Sequence, residues 1–392
     1  MKRLFAALAG ASLFVLAACT GPVTSTTSQL PYGEAPPNPG LRHDFRRACR
    51  VSADPNLYHC DVLFDTTPAL GHLRSNVSGY GPPDLQSAYK LPSSTHGAGQ
   101  TIAVVDAFDD PNVDADLATY RSTYGLPACT SGSGCFRKLN QDGKPGPYPL
   151  PNAGWALEES LDTEMVSAVC PNCHIILMEA DDNTLRSLGK AEDMAVQLGA
   201  NVISNSFGGG GSSGGKYFNH PGVIITASAG DNGYGIQNPA DLPTVVSVGG
   251  TVLLRDNNPR GWNDVVWSGT GSGCAHVQMK PSWQTDRGCS GRTMNDVAAL
   301  ATNAAVYDTY YENGWTTVEG TSISAPVVAA IYGLAENASS LNAAQSLYAP
   351  NASLYDVVSG SNGVCNKKYL CNAKPGYDGP SGNGTPDGVS AF

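Results

Sequence analysis

Ser322 lies in Gly320-Thr321-Ser322-Ile323-Ser324-Ala325-Pro326, ahead of an apolar run that starts at Val327. Gly320 permits close backbone approach, and Pro326 suits the first turn of a buried helix. A serine at a helix N-terminus has oriented amides and a favourable dipole for the negative charge of an attacked carbonyl. Far upstream, Glu158 and Asp162 stand four residues apart and would project from one helical face. Two carboxyls held together cannot both ionise freely, so they can share a proton and act as a general base. Asp231, in Ser228-Ala229-Gly230-Asp231-Asn232-Gly233, follows an apolar strand; kept neutral, it could donate a hydrogen bond to an oxyanion. Each feature has an ordinary alternative: an N-cap serine, a solvated acidic helix face that includes Glu159 and Glu164, and an Asp-Asn-Gly turn.

These residues need a scaffold, and the pattern from Gln100 onward supplies one. Short β-branched runs alternate with helical ones, which points to an α/β fold with a mostly parallel central sheet flanked by helices. The runs predict strands at 101–105, 174–178, 201–204, 223–227 and 244–248, with helices at 113–124, 155–169, 184–198 and 325–336. The glycine-rich run 208–215 reads as a loop after a strand end, where open sheets build their sites. A Ser-His-Asp centre would need a histidine leading a helix between its aspartate and its serine. His96, His174, His220 and His276 lack that context, and Asp106, Asp109 and Asp110 read as loop carboxylates.

The segments Glu158-Glu159-Ser160-Leu161-Asp162, Ser228-Ala229-Gly230-Asp231 and Gly320-Thr321-Ser322 with Pro326 resemble, in order and spacing, the three motifs of the sedolisin (serine-carboxyl peptidase) family. The resemblance runs from about Gly79 to the C-terminus. It implies a subtilisin-like fold and cleavage of protein or peptide substrates in acid through an acyl-enzyme. Ser322 would be the nucleophile, Glu158 the base, Asp162 its orienting partner and Asp231 the oxyanion donor. It also implies one Ca2+ held by the side chains of Asp356 and Asp378 and the carbonyls of Val357, Lys374 and Gly376, a set of hard oxygens suited to that ion. Phe207 stands where the family often has tryptophan, and Cys365 to Cys371 forms a loop inserted in the calcium span. A catalytically silent, peptide- or wall-binding relative is the alternative from another class.

The 392 residues are 41% hydrophobic and 15% charged, with 45 glycines and 27 prolines, a loop-rich globular composition. A net charge of −11 with no basic stripe argues against nucleic acid. Lys2 and Arg3, an apolar run to Ala18, and Leu16-Ala17-Ala18-Cys19 form an export signal too short to span a membrane, with Cys19 as a candidate lipid anchor. The other ten of eleven cysteines fall into neighbouring pairs, 49 with 60, 129 with 135, 170 with 173, 274 with 289 and 365 with 371, although sequence alone leaves connectivity open. The chain is thus expected to comprise a signal at 1–19, a tether and short pro-segment or wrap at 20–78, and a peptidase-like domain at 79–392, exported and acting as a monomer.

Overall fold

The structure is a computed structural model that describes residues 44–66, 77–210 and 214–392. The signal and the candidate anchor at Cys19 lie outside the described residues, as does part of the glycine-rich run. An eight-stranded sheet organises the molecule. Its order is Trp262–Val266, Val246–Arg255, Ile224–Ser228, Val202–Asn205, Thr101–Ala107, His174–Ala180 and Phe136–Asn140, with Val297–Leu300 paired to Val246–Arg255. All pairings are parallel except that of Trp262–Val266. The central strands are apolar and buried almost without interruption, as parallel strands covered by crossover helices must be.

The expected elements are present with shifted ends. Thr101–Ala107 extends two residues beyond expectation, which puts Asp106 in a strand rather than a loop. Val246–Arg255 is twice the expected length, because past Gly249 it pairs with Val297–Leu300 and Trp262–Val266. The helices are α1 (Pro82–Ala88), α2 (Val113–Thr123), α3 (Ala153–Val169), α4 (Leu185–Gln197) and α5 (Thr321–Ala335). Helix α5 begins four residues earlier than its composition indicates, so Ser322 sits in the first turn and Pro326 inside the helix. Proline cannot donate to the carbonyl one turn back. That carbonyl, on Ser322, accepts instead from the Ser206 hydroxyl at 3.5 Å.

A second, antiparallel sheet takes Phe45–Arg47 and Leu63–Asp65 from the N-terminal segment and joins them to Gly314–Glu319 and Ala304–Asp308. All five expected disulfides are formed: Cys49–Cys60, Cys129–Cys135, Cys170–Cys173, Cys274–Cys289 and Cys365–Cys371. Among the described residues no helix is long and apolar enough to cross a membrane.

Candidate active site

Helices α3 and α5 pack against each other and carry three of the functional groups between them. Asn152 caps α3 by accepting from the Gly154 and Trp155 amides, and every residue from Gly154 to Val169 is buried. Glu158, Glu159, Asp162 and Glu164 are therefore all fully inside, so the acidic stretch is not a solvated face. Glu159 accepts from the Asp110 amide at 3.0 Å and Glu164 from the Tyr307 amide at 3.0 Å. Nearby, Lys138 pairs with Asp109 at 2.5 Å and Glu179 at 3.0 Å.

Glu158 and Asp162 are different, because among the described residues no hydrogen bond of ordinary geometry reaches any of their four carboxyl oxygens. They nevertheless lie close enough to each other, and to the Ser322 and Ser206 hydroxyls, to govern one another's protonation. Burial first, then the neighbouring Asp162 and Asp106, holds the Glu158 carboxyl well above the usual range. Burial and Asp106 do the same to Asp162. Asp106 itself, buried and without a hydrogen-bond partner, is pushed up to about 8 by burial. Three carboxyls thus share a dry space beside the serine, where loss of a proton from one raises the cost of losing the next.

The Ser322 hydroxyl, fully buried, donates to the Ser206 carbonyl at 3.2 Å. Its placement depends on Gly320, whose φ of +135° favours glycine. A β-carbon there would come within 2.2 Å of the Asp61 carbonyl oxygen and 2.9 Å of Asp231 Oδ2. Asp231 follows the Ile224–Ser228 strand and is locked from one side only. Its Oδ1 accepts from the Thr321 amide at 2.8 Å and the Thr321 hydroxyl at 2.9 Å, while Oδ2 has no partner among the described residues. Burial, reinforced by Asp61, raises this carboxyl well above the usual range, so Oδ2 can carry a proton. The Ser322 amide points to the same place and donates to the Asp61 carbonyl at 3.2 Å.

The four expected residues Ser322, Glu158, Asp162 and Asp231 therefore converge, from two helices and one strand-end loop. Sequence reasoning missed Asp106, Ser206 and Asp61. An aspartate closing the run Ile102 to Val105 was the available signal for the first, and nothing local marks the other two. A cavity of about 730 Å³ lined by Tyr234, Ile236, His276, Arg287 and Lys367 contains none of these residues.

The calcium expectation concerns the turn at 374–378. Asp356 Oδ2 accepts from the Gly376 amide at 2.9 Å, and Asp378 Oδ2 from the Lys374 amide at 2.9 Å. Both carboxylates thus close on one turn, and among the described residues no hydrogen bond ends on the carbonyls of Val357, Lys374 or Gly376. Asp378 Oδ1 also accepts from the Ser381 amide at 2.9 Å and hydroxyl at 2.7 Å, so a hard cation would use the remaining lone pairs of the two acids together with the three carbonyl oxygens. Asp110, Asp116 and Asp308 form another buried acidic cluster, whose carboxyls accept from backbone amides and the Ser160 and Thr309 hydroxyls.

The sequence matches the subtilase family model over residues 150–361. It is 30% identical over 359 residues to kumamolisin of Bacillus sp. (strain MN-32), covering 80% of this chain and 63% of that protein. It is 26% identical over 368 residues to sedolisin of Pseudomonas sp. (strain 101), covering 79% and 60%. The chain thus spans about three fifths of the length of the curated relatives it matches. The solved structure of Pseudomonas sedolisin (serine-carboxyl proteinase), complexed with two molecules of pseudo-iodotyrostatin, superposes with a TM-score of 0.67 at 24% identity, over 80% of this chain and 96% of that one. A fold match, a family-model match that takes in both α3 and α5, and a buried serine flanked by acids agree on one assignment: the chain belongs to the subtilase family, and kumamolisin and sedolisin are among the relatives it resembles.

Proposed function

We propose that this chain is an exported serine-carboxyl endopeptidase, active in acid, that cleaves protein or peptide substrates through an acyl-enzyme on Ser322. The observation that carries the reading is the joint placement of a buried serine hydroxyl, an unpartnered Glu158–Asp162 pair beside it, and an unpartnered Asp231 Oδ2 on the side of the Ser322 amide. Glu158 takes the proton as Ser322 Oγ attacks the scissile carbonyl, and returns it to the departing amine. Asp162 keeps Glu158 oriented and shares its charge. The Ser322 amide and protonated Asp231 receive the developing oxyanion, an electrostatic contribution typically worth a factor of ~10²–10³ for each donor. Water, deprotonated by Glu158, then releases the acid product.

Acid activity follows from the groups employed, since carboxyls exchange protons where an imidazole would already be charged. Five disulfides are consistent with an oxidising compartment, which supports the export reading and the signal at 1–19, with Cys19 as anchor. For the turn at 374–378 we infer Ca2+ held by Asp356, Asp378 and the Val357, Lys374 and Gly376 carbonyls. Bound there, the ion would supply a fixed positive charge that fastens this turn to Asp356. Replacing Ser322→Ala tests the central claim: hydrolysis of a denatured protein in acid should vanish, and undiminished hydrolysis would refute the assignment.

A further inference from the structure

Residues from Leu57 to Asp65 run in extended form through the site just described. Leu57 bridges to Thr184, and His59–Cys60 pairs antiparallel with Phe207–Gly208. The Asp61 amide donates to the Ser206 carbonyl at 3.1 Å, and the Asp61 carbonyl accepts from the Ser322 amide at 3.2 Å. Beyond it, Leu63–Asp65 pairs with Gly314–Glu319. One carbonyl of a strand-paired segment is thus seated on the amide of the nucleophile, with Asp231 beside it. That is how a substrate presents its scissile carbonyl.

The side chain of Asp61 is equally well received. It is fully buried, and its Oδ2 accepts from the Ser228 hydroxyl at 2.7 Å and from the Gln237 amide nitrogen. Gln237 also donates to the Ser228 carbonyl at 3.2 Å, and a β-carbon on Gly208 or Gly230 would collide with its side chain. The amide is therefore fixed in place as a donor. His59 lies 3.6 Å from the other Asp61 oxygen. The pocket offers two donors to a short acid or amide.

The segment is also built to stay. Tyr58 inserts edge-on against Phe207 and donates to Asn238 at 2.5 Å. Arg47 donates to the Asp231 carbonyl at 3.0 Å and to Asn232 at 2.7 Å. Cys49–Cys60 ties the residue before Asp61 to the upstream strand, and the Ala48 amide donates to the Val62 carbonyl at 3.1 Å. Phe45–Arg47 then pairs with Leu63–Asp65, so both sides of the Asp61–Val62 bond are gripped.

We propose that Asp61–Val62 is a self-cleavage site: the N-terminal segment occupies the cleft as a tethered substrate, and Ser228 with Gln237 select a short acid or amide side chain immediately before the scissile bond. The proposal rests on Ser322 being the nucleophile. Ser322 Oγ bonds to the Asp61 carbonyl carbon as its proton passes to Glu158. The C–N bond to Val62 breaks, and the Val62 nitrogen takes that proton to leave as an amine. Water then splits the Asp61 ester, giving the Asp61 carboxyl and restoring the Ser322 hydroxyl. Because Phe45–Arg47 and Leu63–Asp65 remain paired across the cut, the halves stay together until denatured.

The full chain, incubated in acid and then denatured, should show a fragment whose N-terminus reads Val62-Leu63-Phe64, and Ser322→Ala should abolish it, which excludes acid hydrolysis of the bond. The isosteric Asp61→Asn should keep the cut. Asp61→Lys should slow it at least ~10-fold, since an ammonium has no oxygen to accept from Ser228 and Gln237. Gln237→Ala, which leaves the segment itself unchanged, should also slow it, with thermal melts verifying that each variant folds. A chain that hydrolyses an added peptide through Ser322 yet stays intact between Asp61 and Val62 overturns the self-cleavage site and leaves the peptidase reading standing. A cut as fast in Asp61→Lys and Gln237→Ala as in the parent overturns the pocket assignment. Absence of any Ser322-dependent hydrolysis sinks the peptidase reading itself.

Discussion

Asp231 offers a test in which two substitutions at one carboxyl should behave in opposite ways. Its Oδ1 accepts two hydrogen bonds from Thr321, and its Oδ2 is free to donate once protonated. Asparagine reproduces both functions, with Oδ1 accepting and an N–H in place of the O–H, but cannot ionise. Alanine removes both. It forfeits an oxyanion donor, worth about 3–4 kcal/mol or a factor of ~10²–10³ in kcat. It also orphans the buried Thr321 amide, at a cost of about 1–3 kcal/mol in stability. Burial and Asp61 hold Asp231 protonated above the usual carboxylate range, so in the parent the rate should fall as pH rises through that elevated pKa. In Asp231→Asn the acid limb should be unchanged and the alkaline limb displaced upward. The assay is hydrolysis of an internally quenched peptide from roughly pH 3 to 8, with circular dichroism at each pH to separate loss of fold from loss of rate. An Asn variant with the parent's alkaline limb, or as inactive as Ala, would refute the claim that a neutral Asp231 donates to the oxyanion.

Glu158→Gln should reduce kcat by a factor of ~10² or more without lowering the melting temperature, since a neutral amide replaces a carboxyl whose neutral form burial favours; normal turnover would remove its role as base. Stability should be greatest in acid. The buried carboxyls Asp106, pushed up to about 8, and Glu179, pushed up to about 8, and those of Glu158, Asp162 and Glu164, all raised, contribute stability that is complete below the usual carboxylate range and is lost as pH rises through their folded values. Calorimetry should therefore give a Tm near pH 4 that is at least ~5 °C above that near pH 8, and the reverse order would contradict the sign of these shifts. Chelation of calcium should lower Tm, and Asp378→Asn should remove that sensitivity; a chelator without effect on Tm would exclude the ion from the 374–378 turn.

What could be seen in advance was what neighbouring residues decide. The spacing of Glu158 and Asp162 and the Gly320-Thr321-Ser322 junction are local, and both survive intact in α3 and α5. So were the buried parallel strands, whose β-branched runs require no knowledge of the partner. Burial of the acids on α3 was not legible, because what makes it tolerable is distant: the Asp110 amide for Glu159 and the Tyr307 amide for Glu164. The same holds for Val246–Arg255, whose second half exists only through Val297–Leu300 and Trp262–Val266. The three short strands between Phe45 and Asp65 carry no periodic signal, and two of them gain their register from strands far along the chain, at Phe207–Gly208 and Gly314–Glu319.

The chemistry demands opposite charge states of like residues at one pH, an ionised base at Glu158 and a neutral donor at Asp231, and the structure separates them by company rather than by burial. Both are enclosed. Glu158 belongs to a group of three acids with Asp162 and Asp106, and within such a group the first proton leaves more readily than the last, so one negative charge can be shared while the others remain neutral. The Ser322 hydroxyl favours that charge on Glu158 and the Ser206 hydroxyl favours it on Asp162. Asp231 has Asp61 as its acidic neighbour, and the anionic form of either raises the cost of ionising the other. Release of the segment carrying Asp61 would remove that neighbour together with Arg47, whose opposing influence is the smaller, and so lower the Asp231 pKa. The alkaline limb of a chain freed of its N-terminal segment should accordingly lie below that of one still holding it, and an unchanged limb would mean that burial alone keeps Asp231 neutral.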